Sequence, residues 1–457
     1  MQPIVTPAEM AAIDADAPEP VQELIERAGA AVARAAIDLL GGTYGRRVVV
    51  LAGKGNNGND GRAAARRLER RGVRCLVIDA AALPAVLPPA DLMVDAAYGT
   101  GFRGVFEAPH PADPETPVLA VDIPSGISGT TGMASGRPWH AVRTVTFGAL
   151  KPGLLLGDGP EHAGQITVAD IGLDCSRGRA HLVGGADVAR WIPARARDTH
   201  KWRAATWVVA GSDGMTGAAH LATRAAQRAG AGYVRLSTPG SSHDPLAPTE
   251  AVVVGLPDRG WSDVVLRDLE RFGSLAVGPG LGSSSDVAAQ VRRLVARASV
   301  PTVVDGDGLR ALGAQARDHI GARPRDAAPV VLTPHDGEFE ALTGAAPADD
   351  RFEAVRAVAL VTGAVVLLKG PTTLVADPDG KVWASNSGDA RLATAGSGDV
   401  LTGIVAALLA QGVDPARAAA AAAHLHGRAG ALAWPRGVVA SDLVDHLPHA
   451  LAELPGG

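Results

Sequence analysis

Arg47-Val-Val-Val-Leu-Ala-Gly-Lys-Gly-Asn-Asn-Gly-Asn-Asp-Gly61 reads as a strand running into a Gly/Asn turn. The five residues after the arginine are apolar without alternation, as a strand covered on both faces must be. A basic helix is expected at 62–71, and the same unit then recurs along the chain. Downstream, apolar runs at 73–78, 92–95, 118–122, 144–147 and 165–168 read as strands. Upstream, Leu24, Ile25, Ala28, Val32, Ala36 and Leu39 fall at helical spacing. Strands alternating with helices specify an α/β fold around a parallel sheet.

The pattern breaks at 174–199, a polar, arginine-rich stretch interrupted by Gly and Pro193. It restarts with expected strands at 207–210, 233–237, 251–254, 275–278, 301–305, 330–333, 365–369, 373–376 and 382–385, then Ala-rich helices from about 399. Two different α/β domains are expected, at 1–177 and 178–457, with no tandem repeat.

The 457 residues suffice for two or three domains. Aromatics are only 4%, so the cores must be built from Ala, Val and Leu. With 43 basic and 48 acidic residues the net charge is −5, which implies no basic surface for nucleic acid. Two cysteines, Cys75 and Cys175, cannot supply a disulfide framework. The first residues lack the regions of a secretory signal, and no apolar run is long enough to span a bilayer. A soluble, cytoplasmic protein acting on small molecules is expected, as a homo-oligomer without membrane or nucleic-acid partners. Lysine is scarce: Lys54, Lys151, Lys201, Lys369 and Lys381 stand in a chain whose other cations are arginine.

Gly53, Gly55 and Gly58 match G-x-G-x-x-G, and Asp79 closes the next strand. That is a dinucleotide-binding fingerprint, which keeps a Rossmann oxidoreductase open as one reading. However, Asn56, Asn57, Asn59 and Asp60 crowd the turn with groups that bind a hard cation or ligand hydroxyls and amides. The plainer alternative is a turn using the left-handed backbone that Gly and Asn tolerate. Two more strand ends, at Asp95 and at Asp122-Ile-Pro-Ser125, reach the same edge of a parallel sheet, where ligands bind. There Asn57, Asp95 and Ser125 can share a monovalent cation, and Asp122 can act as a general base. Alone, either aspartate reads more readily as a cap or turn residue; together with the first loop the functional reading leads.

In the second half, Ala395-Gly-Ser-Gly-Asp399 opens a helix. Its glycines let backbone N–H groups converge on an anion, and Asp399 can take a proton from an attacking hydroxyl. A linker or an N-cap is the alternative. Lys369-Gly-Pro-Thr-Thr373 offers a cation and hydroxyls to phosphates, and no G-x-x-x-x-G-K-[ST] run exists, which points to the ribokinase-like class. The segments 211–217, 278–282 and 333–338 also suit a ligand cleft. His335 alone reads as readily structural, and Asp305 with Asp307 reads as a Mg²⁺ pair or a turn. His424 and His426 have no assigned role.

In order along nearly the whole chain, these motifs resemble the bifunctional NAD(P)H-hydrate repair enzymes. Asn56-Asn-Gly-Asn-Asp60, Asp95 with 99–105, Asp122-Ile-Pro-Ser125 and Thr146-Phe-Gly-Ala-Leu-Lys151 are similar to the epimerase domain. His200-Lys201, Gly278-Pro-Gly-Leu-Gly282, His335 with Glu338, Lys369-Gly370 and Gly396-Ser-Gly-Asp399 are similar to the ADP- or ATP-dependent dehydratase. The resemblance implies a Rossmann-like three-layer domain followed by a ribokinase-like one. It implies that Asn56, Asn57, Gly58, Asn59, Asp60, Gly99, Thr100, Gly101, Phe102, Arg103, Gly104, Val105 and Asp122 contact hydrated NADH or NADPH. It implies K⁺ on Asn57, Asp95 and Ser125. In the second domain it implies hydrated nucleotide on Ala218, Gly282, His335 and Asp399. ADP or ATP with Mg²⁺ falls on Lys369, Gly370, Pro371, Thr372, Thr373 and Gly398. Asp399 and Asp122 are the implied catalytic groups. Asn59, Leu24-Ile-Glu, Asp336 and Trp202-Arg203 depart from the usual family pattern. A ribokinase-like small-molecule kinase fused to a nucleotide-binding domain, and a two-domain nucleotide sensor, are the rival readings.

Overall fold

In a computed structural model, which describes residues 1–324 and 326–456, the chain divides into two compact units. One is Gln2–Ala180; the other runs from His181.

The first unit is built on a six-stranded sheet in the order Arg74–Asp79, Arg47–Ala52, Leu92–Ala96, Val118–Val121, Arg143–Phe147, Gln165–Ala169. All of its neighbours pair in parallel. The strand Arg47–Ala52 explains its own unbroken apolar run. Val48, Val50 and Ala52 face a core under the helices Val21–Leu40 and Asn56–Glu69, whereas Val49 packs with Met93 and Val118 on the other face. Both faces are therefore covered, which gives the three layers.

The Gly/Asn turn is much shorter than its sequence suggests. The helix expected at 62–71 begins at Asn56, with Gly55 as N-cap, so Asn56, Asn57, Gly58, Asn59 and Asp60 form its first turns. None of Gly53, Gly55, Gly58 and Gly61 takes a positive φ; the left-handed reading is wrong here. Gly58 and Gly61 are required by space. A Cβ on Gly58 would lie 1.9 Å from the Gly53 carbonyl oxygen, and one on Gly61 would lie 2.5 Å from the Ala96 Cβ. Close packing of helix on sheet overrides the poor helix propensity of the segment.

The second unit's strands run in the order Val382–Ser385, Thr373–Ala376, Val365–Leu368, Val330–Leu332, Thr302–Val304, Ser274–Val277, Ala205–Val209, Tyr233–Ser237, Val252–Val253. From Val365–Leu368 onward the pairs are parallel. The other two pairs are antiparallel. The reason is length: Lys369 to Thr372 is a hairpin connection, too short for a crossover helix. The Ala-rich helices Ser397–Ala410 and Pro415–Leu432 are buried almost all round and share one core with the sheet. Gly403 admits the neighbouring helix Gly217–Arg228, since a Cβ there would meet the Ala222 oxygen at 2.1 Å. Among the described residues no helix is long and apolar enough to cross a membrane.

The two helices over the first sheet cross at Gly29, where a Cβ would come within 2.5 Å of the Ala63 Cβ and 2.9 Å of the Ala64 nitrogen. Gly29→Val should overpack this crossing and cost about 1–3 kcal/mol. A lowered midpoint of the first unit's urea transition, at unchanged slope, is the expected reading.

Candidate functional site

In the first unit, the C-terminal ends of Arg47–Ala52, Leu92–Ala96 and Val118–Val121 open onto a cavity of about 670 Å³. Asn56, Asn57, Asp60, Asp122 and the turn residues Gly99, Thr100, Gly101 and Phe102 line it. Gly58, Asn59, Arg103, Gly104 and Val105 do not. Gly58 is spent on helix–sheet contact, Arg103 bonds its neighbour's carbonyl, and Val105 is 70% exposed.

Asp122 is the only described non-glycine residue with a positive φ, +65°. That backbone is costly for a residue with a Cβ and is held by its surroundings. Its Oδ1 accepts from Lys151 Nζ at 2.5 Å and from Thr146 Oγ1 at 3.0 Å. Lys151 is only 1% exposed and also donates to Thr146 Oγ1 and the Phe147 carbonyl. Two more carboxyls share this lysine's field. Burial pushes Asp60 up to about 8, with Asp122 and Asp14 adding repulsion. Asp14 is itself raised by burial. At neutral pH the cluster thus holds a protonated carboxyl beside an ion-paired carboxylate, the arrangement that separates an acid from a base.

Asp95 is fully buried, and burial raises its carboxyl. Ser125 donates to it twice, from Oγ at 2.6 Å and from its amide at 2.8 Å. The Tyr98 amide in turn donates to Ser125 Oγ, which ties the 99–105 turn to the pair. Asn57 projects from the first helical turn against Gly99, and both its amide atoms are buried without a partner. So the structure joins Asp95 to Ser125 and leaves Asn57 with two unsatisfied polar atoms, a cost that a ligand would remove.

In the second unit the strand ends gather a different set. Lys369 Nζ lies 2.8 Å from Asp305 Oδ1 and 3.4 Å from Glu338 Oε2. Burial alone would lower this ammonium's pKa, but the two carboxylates outweigh it and hold it above the ordinary value. Thr402 Oγ1 donates to the other Asp305 oxygen at 2.7 Å. Above the lysine, the loop at Gly396 enters the helix Ser397–Ala410. Gly398, in the first turn of that helix, lies against Lys369 Nζ and Asp305 Oδ2: a Cβ there would sit 3.4 and 3.7 Å from them. Burial, followed by repulsion from Asp305, pushes Asp399 up to about 7.

Asp305 and Asp307 do not form a pair of free ligands. Asp305 is engaged as above, and Asp307 accepts from the Gly282 amide at 2.8 Å. Ala218 stands in the first turn of Gly217–Arg228, packed against Gly280. His335 caps the helix Asp336–Thr343: its Nδ1 accepts the amides of Gly337 and Glu338, which leaves Nε2 protonated and the ring exposed. Asp336, a departure in the sequence, has a structural partner. It grips Arg351 with both oxygens, at 2.7 and 3.0 Å, and Arg351 donates onward to the Lys369 carbonyl at 3.2 Å. Gly370 lies against that guanidinium, while Pro371, Thr372 and Thr373 complete the hairpin. Sequence reasoning missed Arg351 and Asp14, which sit on helices far from their partners in sequence. No local signal marks either of them, whereas lysine scarcity did mark Lys151 and Lys369.

Residues 206–452 match the family model described as NAD(P)H-hydrate dehydratase, and 21–85 with 77–153 match that of the YjeF-related protein N-terminus. A bifunctional NAD(P)H-hydrate repair enzyme of Moorella thermoacetica is 36% identical over 99% of this chain and 97% of its own. One from Mycobacterium tuberculosis is 38% identical over 83% and 82%. Among solved structures, the ADP/ATP-dependent NAD(P)H-hydrate dehydratase of Bacillus subtilis, co-crystallised with ATP and Mg²⁺, is 31% identical. It covers 59% of this chain and 97% of that one, at a TM-score of 0.51. A ribokinase-like superfamily protein of Enterococcus faecalis shares the fold at a TM-score of 0.53 and 24% identity. The catalytic-edge geometry of both units and these matches agree: the chain belongs to the family of bifunctional NAD(P)H-hydrate repair enzymes.

Proposed function

We propose that the second unit restores NADH and NADPH from their S-hydrates at the expense of ADP or ATP, and that the first unit interconverts the R- and S-hydrates. The observation that carries the reading is Asp399, a carboxyl poised near neutrality at a helix start above Lys369.

The hydrate carries a hydroxyl on C6 of the nicotinamide ring. Asp399 takes its proton as the oxygen attacks the terminal phosphorus of the nucleotide, and AMP leaves if ADP is used. The helix N-terminus and the Lys369 ammonium offset the charge on the transferred group. Lys369, Gly370, Pro371, Thr372, Thr373 and Gly398 hold the adenine nucleotide, which brings Mg²⁺ with it. Ala218, Gly282 and His335 line the hydrate's side. Phosphate then leaves C6, a far better leaving group than hydroxide, and loss of a proton from C5 restores the double bond.

In the first unit the same carbon bears both the hydroxyl and N1. Ionised Asp122 takes the hydroxyl proton, the C6–N1 bond opens to an aldehyde, and protonated Asp60 supplies a proton to N1. Closure on the other face returns both protons. Asn57, Asp95 and Ser125 would hold K⁺. The unpartnered amide of Asn57 and the buried carboxylate of Asp95 are hard donors that suit it. When bound, the ion would supply a fixed positive charge beside the 99–105 turn.

Asp399→Asn should lower nucleotide-dependent recovery of NADH absorbance by about 10²–10⁴ and leave R/S exchange intact. Dehydration at full rate in that variant would rule out Asp399 as the base. Because the base must be ionised, kcat/KM for dehydration should rise through about pH 7 and fall tenfold per unit below it. A flat profile from pH 5.5 to 8 would contradict this assignment. Conversely, Asp122→Ala should slow R-to-S exchange, followed chromatographically, while the pure S-hydrate is still repaired at the parent rate.

A further inference from the structure

Asp79 is the last residue of Arg74–Asp79 and stands in register with Ala52, directly beside the Gly53 turn. It lines the same cavity as Asp122, together with Ala80, Ala81 and Lys54. Its Oδ1 accepts the Ala81 amide at 2.9 Å, which fixes the carboxylate at the cavity rim.

The strand order puts Asp79 three strands from the strand that ends at Asp122. At about 4.8 Å per strand that is roughly 14 Å. The glycine turn and the start of the helix Asn56–Glu69 lie between them. An extended dinucleotide spans that interval with its pyrophosphate over the helix N-terminus, where anions are favoured. With the hydrated ring at Asp122 and Lys151, the adenosine ribose falls at Asp79. A carboxylate at this strand end accepts hydrogen bonds from free ribose hydroxyls.

Charge at the rim decides the specificity. A 2′-phosphate would face Asp79 at close range, and like charges so placed repel. Sites that take such a phosphate use an arginine. Among the described residues the cavity wall holds no arginine, in a chain where nearly every cation is one. Lys151 is committed to Asp122, and Lys54 stands on the turn, beside the pyrophosphate path.

We propose that Asp79 is a specificity-determining residue of the first unit, selecting hydrated NADH over hydrated NADPH through the free 2′-hydroxyl. The proposal rests on the reading of that unit as a hydrate epimerase. The experiment is R/S exchange by the full chain with each hydrate in parallel, for the parent, Asp79→Asn and Asp79→Ser; serine keeps an acceptor for the Ala81 amide. In the parent, KM for hydrated NADPH should exceed that for hydrated NADH by about tenfold or more at similar kcat. In both variants that gap should close, chiefly by a fall in KM for hydrated NADPH, with kcat unmoved. Equal KM values in the parent, or a gap that survives both substitutions, would overturn the role of Asp79 while leaving the epimerase reading intact. Exchange of neither hydrate would overturn both.

Discussion

A lysine ammonium withdrawn from water among carboxyl groups, once in each unit, is the constraint on which the rest depends. Lys151 sits with Asp122, Asp60 and Asp14; Lys369 sits with Asp305, Glu338 and Asp399 nearby. One positive charge cannot compensate three neighbouring carboxylates, so in each cluster the least well-paired buried carboxyl moves upward. Asp60 reaches about 8 and Asp399 about 7. The ion pair that makes the burial tolerable also creates the proton-transfer group beside it. Removing one partner would leave an uncompensated buried charge, which is why each lysine carries additional oxygen acceptors or carboxylates.

The first cluster needs backbone that comes unusually close, and glycine provides it by absence of a side chain: Gly58 brings the helix Asn56–Glu69 down onto the Gly53 turn. A chain with 56 glycines and few aromatics can pack helices and sheets at short range throughout. Its Ala-rich helices do this in the second core, where Ala418 to Ala422 are almost wholly buried.

That packing also explains what was readable in the sequence. The central strands were legible because burial on both faces leaves an unbroken apolar run. The helix start at Asn56 was not, because its local propensity favours a turn and only contacts with Ala96 and Gly53 overturn it. The antiparallel end of the second sheet was missed because strand runs at 365–385 carry no direction; the four-residue connection does. Of the candidate site residues, Asp122 and Asp399 stood at strand and helix ends where chemistry was expected. Asp14 and Arg351 were hidden, since each meets its partners only after the chain has folded. Lysine scarcity discriminated in part: Lys151 is buried and Lys369 half-buried, each paired with carboxylate, whereas Lys54 and Lys201 are exposed.

Asp122 joins these strands of argument. A φ of +65° would be relaxed for glycine and costs an aspartate on the order of 1 kcal/mol or more. Glycine would remove the strain but also the partner of Lys151, which has 1% of its surface exposed and no water to fall back on. The fold therefore retains local strain because the alternative is a bare buried cation, and the second cost exceeds the first by several kcal/mol. The strained backbone turns the carboxylate from the end of its strand onto the ammonium, at the rim where Asp60 waits with its proton. Strain, ion pair and acid–base pair are thus a single arrangement, and no member of it has an independent structural reason to be there.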